Sequence, residues 1–340
     1  MRDIFRFRSL LGAVCITLLI TNSTSTALEI GDSAPDFLLP GTDGKSYTLK
    51  DFSKADILVV AFISNHCPIS QAYQDRLIAI SRDYKAKNAR VVAISPNDPL
   101  AFRKDELGYS AVDDSFEGMK LRSTRKGYPF PYLYDGQRQG CAQAYAVQAT
   151  PQVFVFGKDR SLRYLGRIDN GVDPKKAYRW ELRSAIDAML SDKRIRTPRT
   201  KVFGSPIKWS KGRDLAVKNL SLLDRETVVL KKLDGETLRF HLANKTQLLK
   251  LCFVWSPGQP DSDRFLPNLV EIHRCFRKRG LEVITIAAEE GLKERDILGL
   301  LQNAHASCRN YFYPGPRSAL LQKLDVKGDG NLPLIMLIKP

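Results

Sequence analysis

Two stretches of this 340-residue chain spell the same order of structure, and that repetition limits the folds open to it more than any other feature. Residues 55–64, ADILVVAFIS, are an unbroken apolar, β-branched run of the kind buried on both faces of a sheet. A turn containing proline follows. Then comes QAYQDRLIAISRDYKAKN, where Tyr73, Leu77, Ile80 and Tyr84 recur at helical spacing, and after it a second buried strand in RVVAISPND. Residues 248–290 repeat that order in LLKLCFVWSPGQPDSDRFLPNLVEIHRCFRKRGLEVITIAAEE, which reads as an internal duplication.

The first copy continues with a helix candidate in DDSFEGMKLRSTRKG and a short one in CAQAYAV. Two strands joined at a GKDR turn follow in TPQVFVFGKDRSLRYLGRID, and KKAYRWELRSAIDAMLS closes the unit as an amphipathic helix. In the second copy GNLPLIMLIK again leads a proline into a strand, as Thr150–Pro151 does earlier, and the sequence given stops just beyond it. The expected fold is therefore α/β: two tandem units, each a central mixed sheet flanked by helices, with the second truncated at its C-terminus and so incomplete or leaning on the first. The boundaries read as a leader over 1–27, a first unit over 28–192, a basic linker over 193–217 and a second unit over 218–340.

The leader call rests on MRDIFRFRS, basic, then LLGAVCITLLI, apolar, then TNSTSTA, small and polar. The apolar run is too short to span a bilayer, and cleavage after Ala27 would deliver a soluble, exported, periplasmic or extracytoplasmic protein. The net charge of +16 is concentrated in KRIRTPRTKVFGSPIKWSKGRDLAVK, which carries nine Lys or Arg against one Asp. In an exported protein such a stretch reads as a solvated linker, with no nucleic-acid partner expected.

Cys15 lies in the leader, leaving Cys67, Cys141, Cys252, Cys275 and Cys308, an odd and sparse set with no Cys-x-x-Cys pair. His66, His241, His273 and His305 are scattered, so neither a metal site nor a bound cofactor is expected. Cys67 lies in SNHCPIS, between a buried strand and a helix. That junction suits a nucleophilic sulfur, because the unpaired amides and dipole of a helix N-terminus stabilise a thiolate. Pro68 fits the first helical turn, where its missing N–H has no partner. His66 would add positive charge when protonated.

The stretches GDSAPDF, NHCPISQAYQDRL, VVAISPND, FEGMK, FPYLYD, AQAYAVQATPQVFVF and YLGRID, in this order and spacing, resemble the redoxin branch of the thioredoxin-like proteins, the group with alkyl hydroperoxide reductase/thiol-specific antioxidant domains. The second unit resembles thioredoxin-like domains of the thiol–disulfide oxidoreductase type more weakly. The resemblance implies that Thr150–Pro151 is cis, lies beside the active cysteine and pairs its backbone with an extended substrate. It implies protein or small-molecule thiols and disulfides as partners.

Ser70 departs from the dithiol pattern. A hydroxyl cannot break a mixed disulfide, so cycling within the motif is excluded and monothiol chemistry at Cys67 remains. Cys141 would resolve Cys67 only if the two Cα atoms approach within about 7 Å; otherwise it is a small residue packed on a helix. Peroxiredoxins place a proline seven residues and a Thr or Ser three residues before the attacking cysteine. Ser64 meets the second requirement, but Val60 stands at the first. In the second unit Gln259 and Ser262 occupy the cysteine positions, so exchange is excluded there and a binding or positioning role is expected. Three readings stand: a single-cysteine thiol–disulfide oxidoreductase using Cys67 with Ser64, His66, Pro68, Ser70 and the Thr150–Pro151 loop; a redox-inactive binding scaffold; and a thiol peroxidase. The oligomeric state is left open.

Overall fold

A computed structural model describes residues 27–340 except 289, 290, 292 and 327–330, so residues 1–26 of the leader, with Cys15, lie outside the described residues. The first unit runs β1 (Leu38–Pro40), β2 (Ser46–Thr48), β3 (Ile57–Phe62), α1 (Pro68–Tyr84), β4 (Ala89–Ser95), α2 (Phe116–Lys126), β5 (Tyr132–Tyr134), α3 (Gly140–Ala144), β6 (Ala149–Thr150), β7 (Gln152–Phe156), β8 (Leu162–Gly166) and α4 (Glu181–Leu190). Then follow β9 (Ser205–Pro206), α5 (Arg213–Asp224), β10 (Leu230–Lys232), α6 (Gly235–Ala243), β11 (Leu249–Trp255), α7 (Pro260–Phe276), β12 (Leu281–Ala287), α8 (Glu294–Asn303), β13 (Arg309–Phe312), α9 (Arg317–Lys323) and β14 (Leu334–Ile338).

The first large sheet has the order β5-β4-β3-β7-β8, with β3, β4 and β5 parallel and β7 antiparallel to both β3 and β8. Its central strand shows why the run at 57–63 has no polar residue. Ile57, Val59, Ala61 and Ile63 enter the core beneath α1 and α4, while Leu58, Val60 and Phe62 enter a second core against α3 and the N-terminal segment. Successive side chains of a strand point to opposite faces, so a sheet covered on both sides needs apolar residues throughout. Each fully buried side chain of this size contributes roughly 1.5–3 kcal/mol.

The second sheet, β10-β13-β12-β11-β14, repeats the crossover: β11, β12 and β13 are parallel, as β3, β4 and β5 are, and β14 is antiparallel to β11, as β7 is to β3. The two units therefore form a tandem α/β arrangement of mixed sheets flanked by helices. They differ at the edge beyond β14. In the first unit α4 buries Leu182, Ala185 and Ile186 against the sheet. Among the described residues nothing does the same for β14, and Ile335 and Leu337 stand exposed while Leu334, Met336 and Ile338 pack inward.

The basic stretch at 193–217 keeps most of its charged side chains exposed, but its backbone is tied to the first unit. Leu165 N–H donates to Pro198 O, Thr200 N–H to Leu165 O, and β9 pairs antiparallel with β6. Its positive charges sit on a segment whose backbone is already committed, a pairing that composition does not encode. The units also touch directly: Lys104 Nζ meets Glu271 Oε2 at 2.6 Å, and Arg279 donates to Leu107 O at 2.6 Å while lying 4.0 Å from the Tyr109 ring centre. No described helix is long and apolar enough to cross a membrane.

Candidate functional site

The turn between β3 and α1 positions the sulfur. Cys67 is the N-cap of α1, in extended conformation at φ −71° and ψ 117°, with Pro68 in the first turn. The Ser70 N–H donates to Cys67 Sγ at 3.4 Å, so the sulfur takes the capping role usually filled by Ser or Asp oxygen. The Cys67 thiol donates to Thr150 O at 3.1 Å, and Thr150–Pro151 is cis. The Ser64 and Thr150 hydroxyls share a hydrogen bond of 2.7 Å. Ser64, His66, Cys67, Pro68, Ser70 and the Thr150–Pro151 loop are thus gathered at one point.

Ser70 fastens the turn. Its hydroxyl accepts the Ser64 N–H at 3.3 Å, and the second unit repeats the bond between Ser262 Oγ and Ser256 N–H at 3.2 Å. The correspondence runs further: SNHCPIS and SPGQPDS each run into a helix of 17 residues starting at their proline, Pro68 or Pro260, with Cys67 and Gln259 as N-caps, and Leu332–Pro333 is cis as Thr150–Pro151 is. The second unit keeps the frame of the site with an amide where the sulfur stands.

His66 is held by residues the sequence did not reveal. Its Nδ1 lies 2.6 Å from Asp114 Oδ2, and its ring packs edge-on to Phe102 at 4.4 Å between centres. Asp114, only 1% exposed, also accepts the Asn65 and His66 backbone N–H groups on Oδ1 and the Asn97 amide on Oδ2 at 3.0 Å. A buried carboxylate needs this number of donors to offset its lost hydration. Asn97 lies just past β4 and Asp114 just before α2, so only the fold joins them. The legible signal was Asn97's place at the C-terminal end of a buried strand, where α/β folds collect functional side chains; Asp114 had no such signal. The His66 ring edges an open cleft of about 520 Å³ lined also by Leu107, Val112 and Leu121.

Two facts bear on the cysteines. Cys67 is fully buried; its sulfur lies against Thr150 O, and Ser205 and Pro206 pair with the strand that holds Thr150. Cys141 is not brought to it: α1 lies on one face of the sheet, whereas Cys141 packs in the core on the other. Its thiol is pushed well above the ordinary cysteine value by burial and then by the nearby Asp135 carboxylate, which disfavours the anion an attack requires. All five described cysteines are free. Burial pushes Cys252 and Cys308 up to about 12, and Cys275 is also raised, chiefly by burial.

Comparison with known proteins is consistent with this geometry. Residues 29–179 match the Redoxin family model. Two Helicobacter pylori proteins, provisionally named peroxiredoxin bcp, are 26% and 27% identical over 115 residues, covering 33% of this chain and 76% of theirs. A crystal structure of a hypothetical protein from Sinorhizobium meliloti shares 34% identity at a TM-score of 0.48, covering 54% of this chain and 97% of that one. An uncharacterised conserved protein from Geobacillus kaustophilus shares 33% identity at the same TM-score, covering 53% of this chain and 92% of that one. On the family match, residues 29–179 are a redoxin domain of the thioredoxin-like class.

Proposed function

We propose that this chain is an exported thiol–disulfide oxidoreductase that works through Cys67 alone. The observation that carries the reading is the sulfur's position: it caps the N-terminus of α1 and lies 3.1 Å from the carbonyl of the cis Thr150–Pro151 loop. The Ser70 N–H at that end already meets the sulfur at 3.4 Å. The Cys67 thiolate attacks one sulfur of a disulfide on a protein or small molecule. A new S–S bond forms to Cys67, the old one breaks, and the departing sulfur leaves as a thiolate that takes up a proton. Ser70 offers no second sulfur, so the mixed disulfide persists until an external thiolate displaces Cys67, which returns reduced.

The names of the Helicobacter pylori relatives favour peroxide reduction as a second reading. Against it, the Ser64 hydroxyl is engaged with Thr150 and the position seven residues before Cys67 holds Val60, a buried core residue. A redox-inactive scaffold draws support from the burial of Cys67 and from Gln259 in the second unit. Export rests on the three-part character of residues 1–27, and a mature chain starting at Leu28 is the expected product in the periplasm.

Incubation with oxidised glutathione followed by peptide mass mapping tests the main reading. A glutathione adduct is expected on Cys67 and on no peptide of a Cys67→Ser protein. A Cys67 still unmodified after a prolonged incubation taken to completion, or consumption of hydrogen peroxide at a rate that outpaces adduct formation, would sink it.

A further inference from the structure

The strand edge beside Cys67 is already filled by the chain itself. We propose that residues 201–206 are a built-in strap that keeps Cys67 closed until an extended polypeptide displaces it, an inference that rests on Cys67 being the working thiol. In β9, Ser205 pairs with Thr150 and Pro206 with Ala149, antiparallel, along the short strand that enters the cis proline. Gly204 presses on the same peptide. A Cβ at that position would lie 2.0 Å from Thr150 O and 3.2 Å from Pro151 N, so a side chain cannot pass there without lifting the segment. Thr150 O is also the atom that the Cys67 thiol meets at 3.1 Å. One carbonyl thus stands between the strap and a sulfur with no exposed surface.

The strap is pinned at both ends and lightly held between them. Upstream, Thr200 donates its N–H to Leu165 O, and its hydroxyl meets Tyr164 Oη at 2.8 Å and accepts the Arg167 N–H at 3.0 Å. Downstream, Ile207 is buried, Lys208 N–H donates to Asn97 Oδ1 at 2.9 Å, and Lys208 O accepts from Asp98 N–H and Gln139 Nε2. Across the middle, Lys201 and Pro206 are exposed, and Phe203 is half-buried against Tyr73 with ring centres 6.1 Å apart. A segment with few buried contacts between two firm anchors is where local opening is cheapest. An incoming extended chain would replace the strap's backbone pairing with its own, the usual mode of strand addition.

Asn97 couples the strap to the imidazole. Its Oδ1 takes the Lys208 N–H, while its Nδ2 donates to Asp114 Oδ2, the oxygen that meets His66. The strap's downstream anchor and the His66–Asp114 pair therefore rest on the same side chain.

Alkylation of Cys67 by iodoacetamide in the intact chain, read by peptide mapping, measures closure. Phe203→Ala and Gly204→Ala alter the strap and leave Cys67, His66 and Asp114 in place. Both proteins are expected to label Cys67 at least tenfold faster than the wild type at the same pH, with unchanged circular dichroism and faster amide hydrogen exchange over residues 201–206. Should Gly204→Ala fail to fold, Phe203→Ala carries the comparison. Labelling that stays at the wild-type rate, strap amides that exchange no faster, or a wild-type Cys67 already as reactive as in the variants each overturns the strap. The reading of function fails separately. Variants that alkylate fast yet form no mixed disulfide with oxidised glutathione sustain the strap and refute exchange. A wild type that forms the adduct as fast as the variants does the reverse.

Discussion

Replacing Asp114 by asparagine tests the geometry behind His66. The side chain keeps its size, so packing is preserved and the change falls on hydrogen bonds alone. An amide oxygen at Oδ1 still accepts the Asn65 and His66 backbone N–H groups. At the other position an NH2 group would replace Oδ2, which now faces His66 Nδ1 at 2.6 Å and Asn97 Nδ2 at 3.0 Å. His66 can adapt by shifting its proton to Nε2 and accepting on Nδ1. Asn97 cannot turn over, because its Oδ1 holds the Lys208 N–H. Two donors are left facing each other in a site that is 1% exposed at Asp114 and closed at Asn97. Hydrogen bonds to a charged acceptor contribute about 1.5–3 kcal/mol each, and a buried donor left unpaired costs about 1–3 kcal/mol. The expected loss is about 3–4 kcal/mol. With a urea slope of about 2 kcal/mol/M, the midpoint of the transition that unfolds the first unit should fall by about 1.5–2 M. Asp113→Asn is the control, since that carboxylate holds only the exposed Ser115 N–H and hydroxyl; it should shift the midpoint by less than about 0.5 M. A fall equal to that of the control would refute the claim that one carboxylate orders Asn65, His66 and Asn97 together.

Two further outcomes are expected in the second unit. His273 is lowered from its ordinary 6.5 to about 4, first by burial and then by Arg277, and neither ring nitrogen has a hydrogen-bond partner. The unfolded chain therefore takes up a proton near pH 6.5 that the folded one refuses until about pH 4, so stability is full above pH 6.5 and is lost as pH falls between those values. The loss is about 1–2 kcal/mol after allowance for solvent around a half-buried ring, and urea titrations of His273→Gln at pH 7 and 4.5 should differ by that much less than those of the wild type. Lys250 is wholly buried in β11, its ammonium 3.5 Å from His241 O and 4.0 Å from Glu282. An ion so weakly paired gains little from its site, so Lys250→Met should leave the thermal midpoint unchanged or raise it by a few degrees; a fall of more than about 5 °C would show that the ion is better compensated than these distances imply.

Much of the site's frame was written locally. The apolar run from Ile57 to Ile63, the proline after Cys67 and the helical spacing of Tyr73, Leu77, Ile80 and Tyr84 fix a strand, a turn and a helix start from neighbouring residues alone. The second copy of that pattern, with Gln259 in the sulfur's place, was equally legible because the register of a turn before a helix depends on a handful of positions. Contacts distant in the chain were not legible. Asp114 reaches His66 across 48 positions of sequence, and nothing in the sequence around either names the other. The backbone pairing of the basic stretch was hidden for the same reason: charge describes a side chain's taste for water, while Ser205 is placed by pairing with Thr150.

The sequence by itself determined the repeated strand–turn–helix–strand order, the duplication and which sulfur stands at a helix start, since each follows from periodicity over ten to twenty residues. Only the tertiary structure decided that this sulfur is enclosed, that its histidine is held by Asp114 and Asn97, and that the chain's own residues 203–206 lie across the loop beside it. Those facts depend on pairings between distant segments, where hydrogen bonds and shape select the partner and local composition carries no record of the choice.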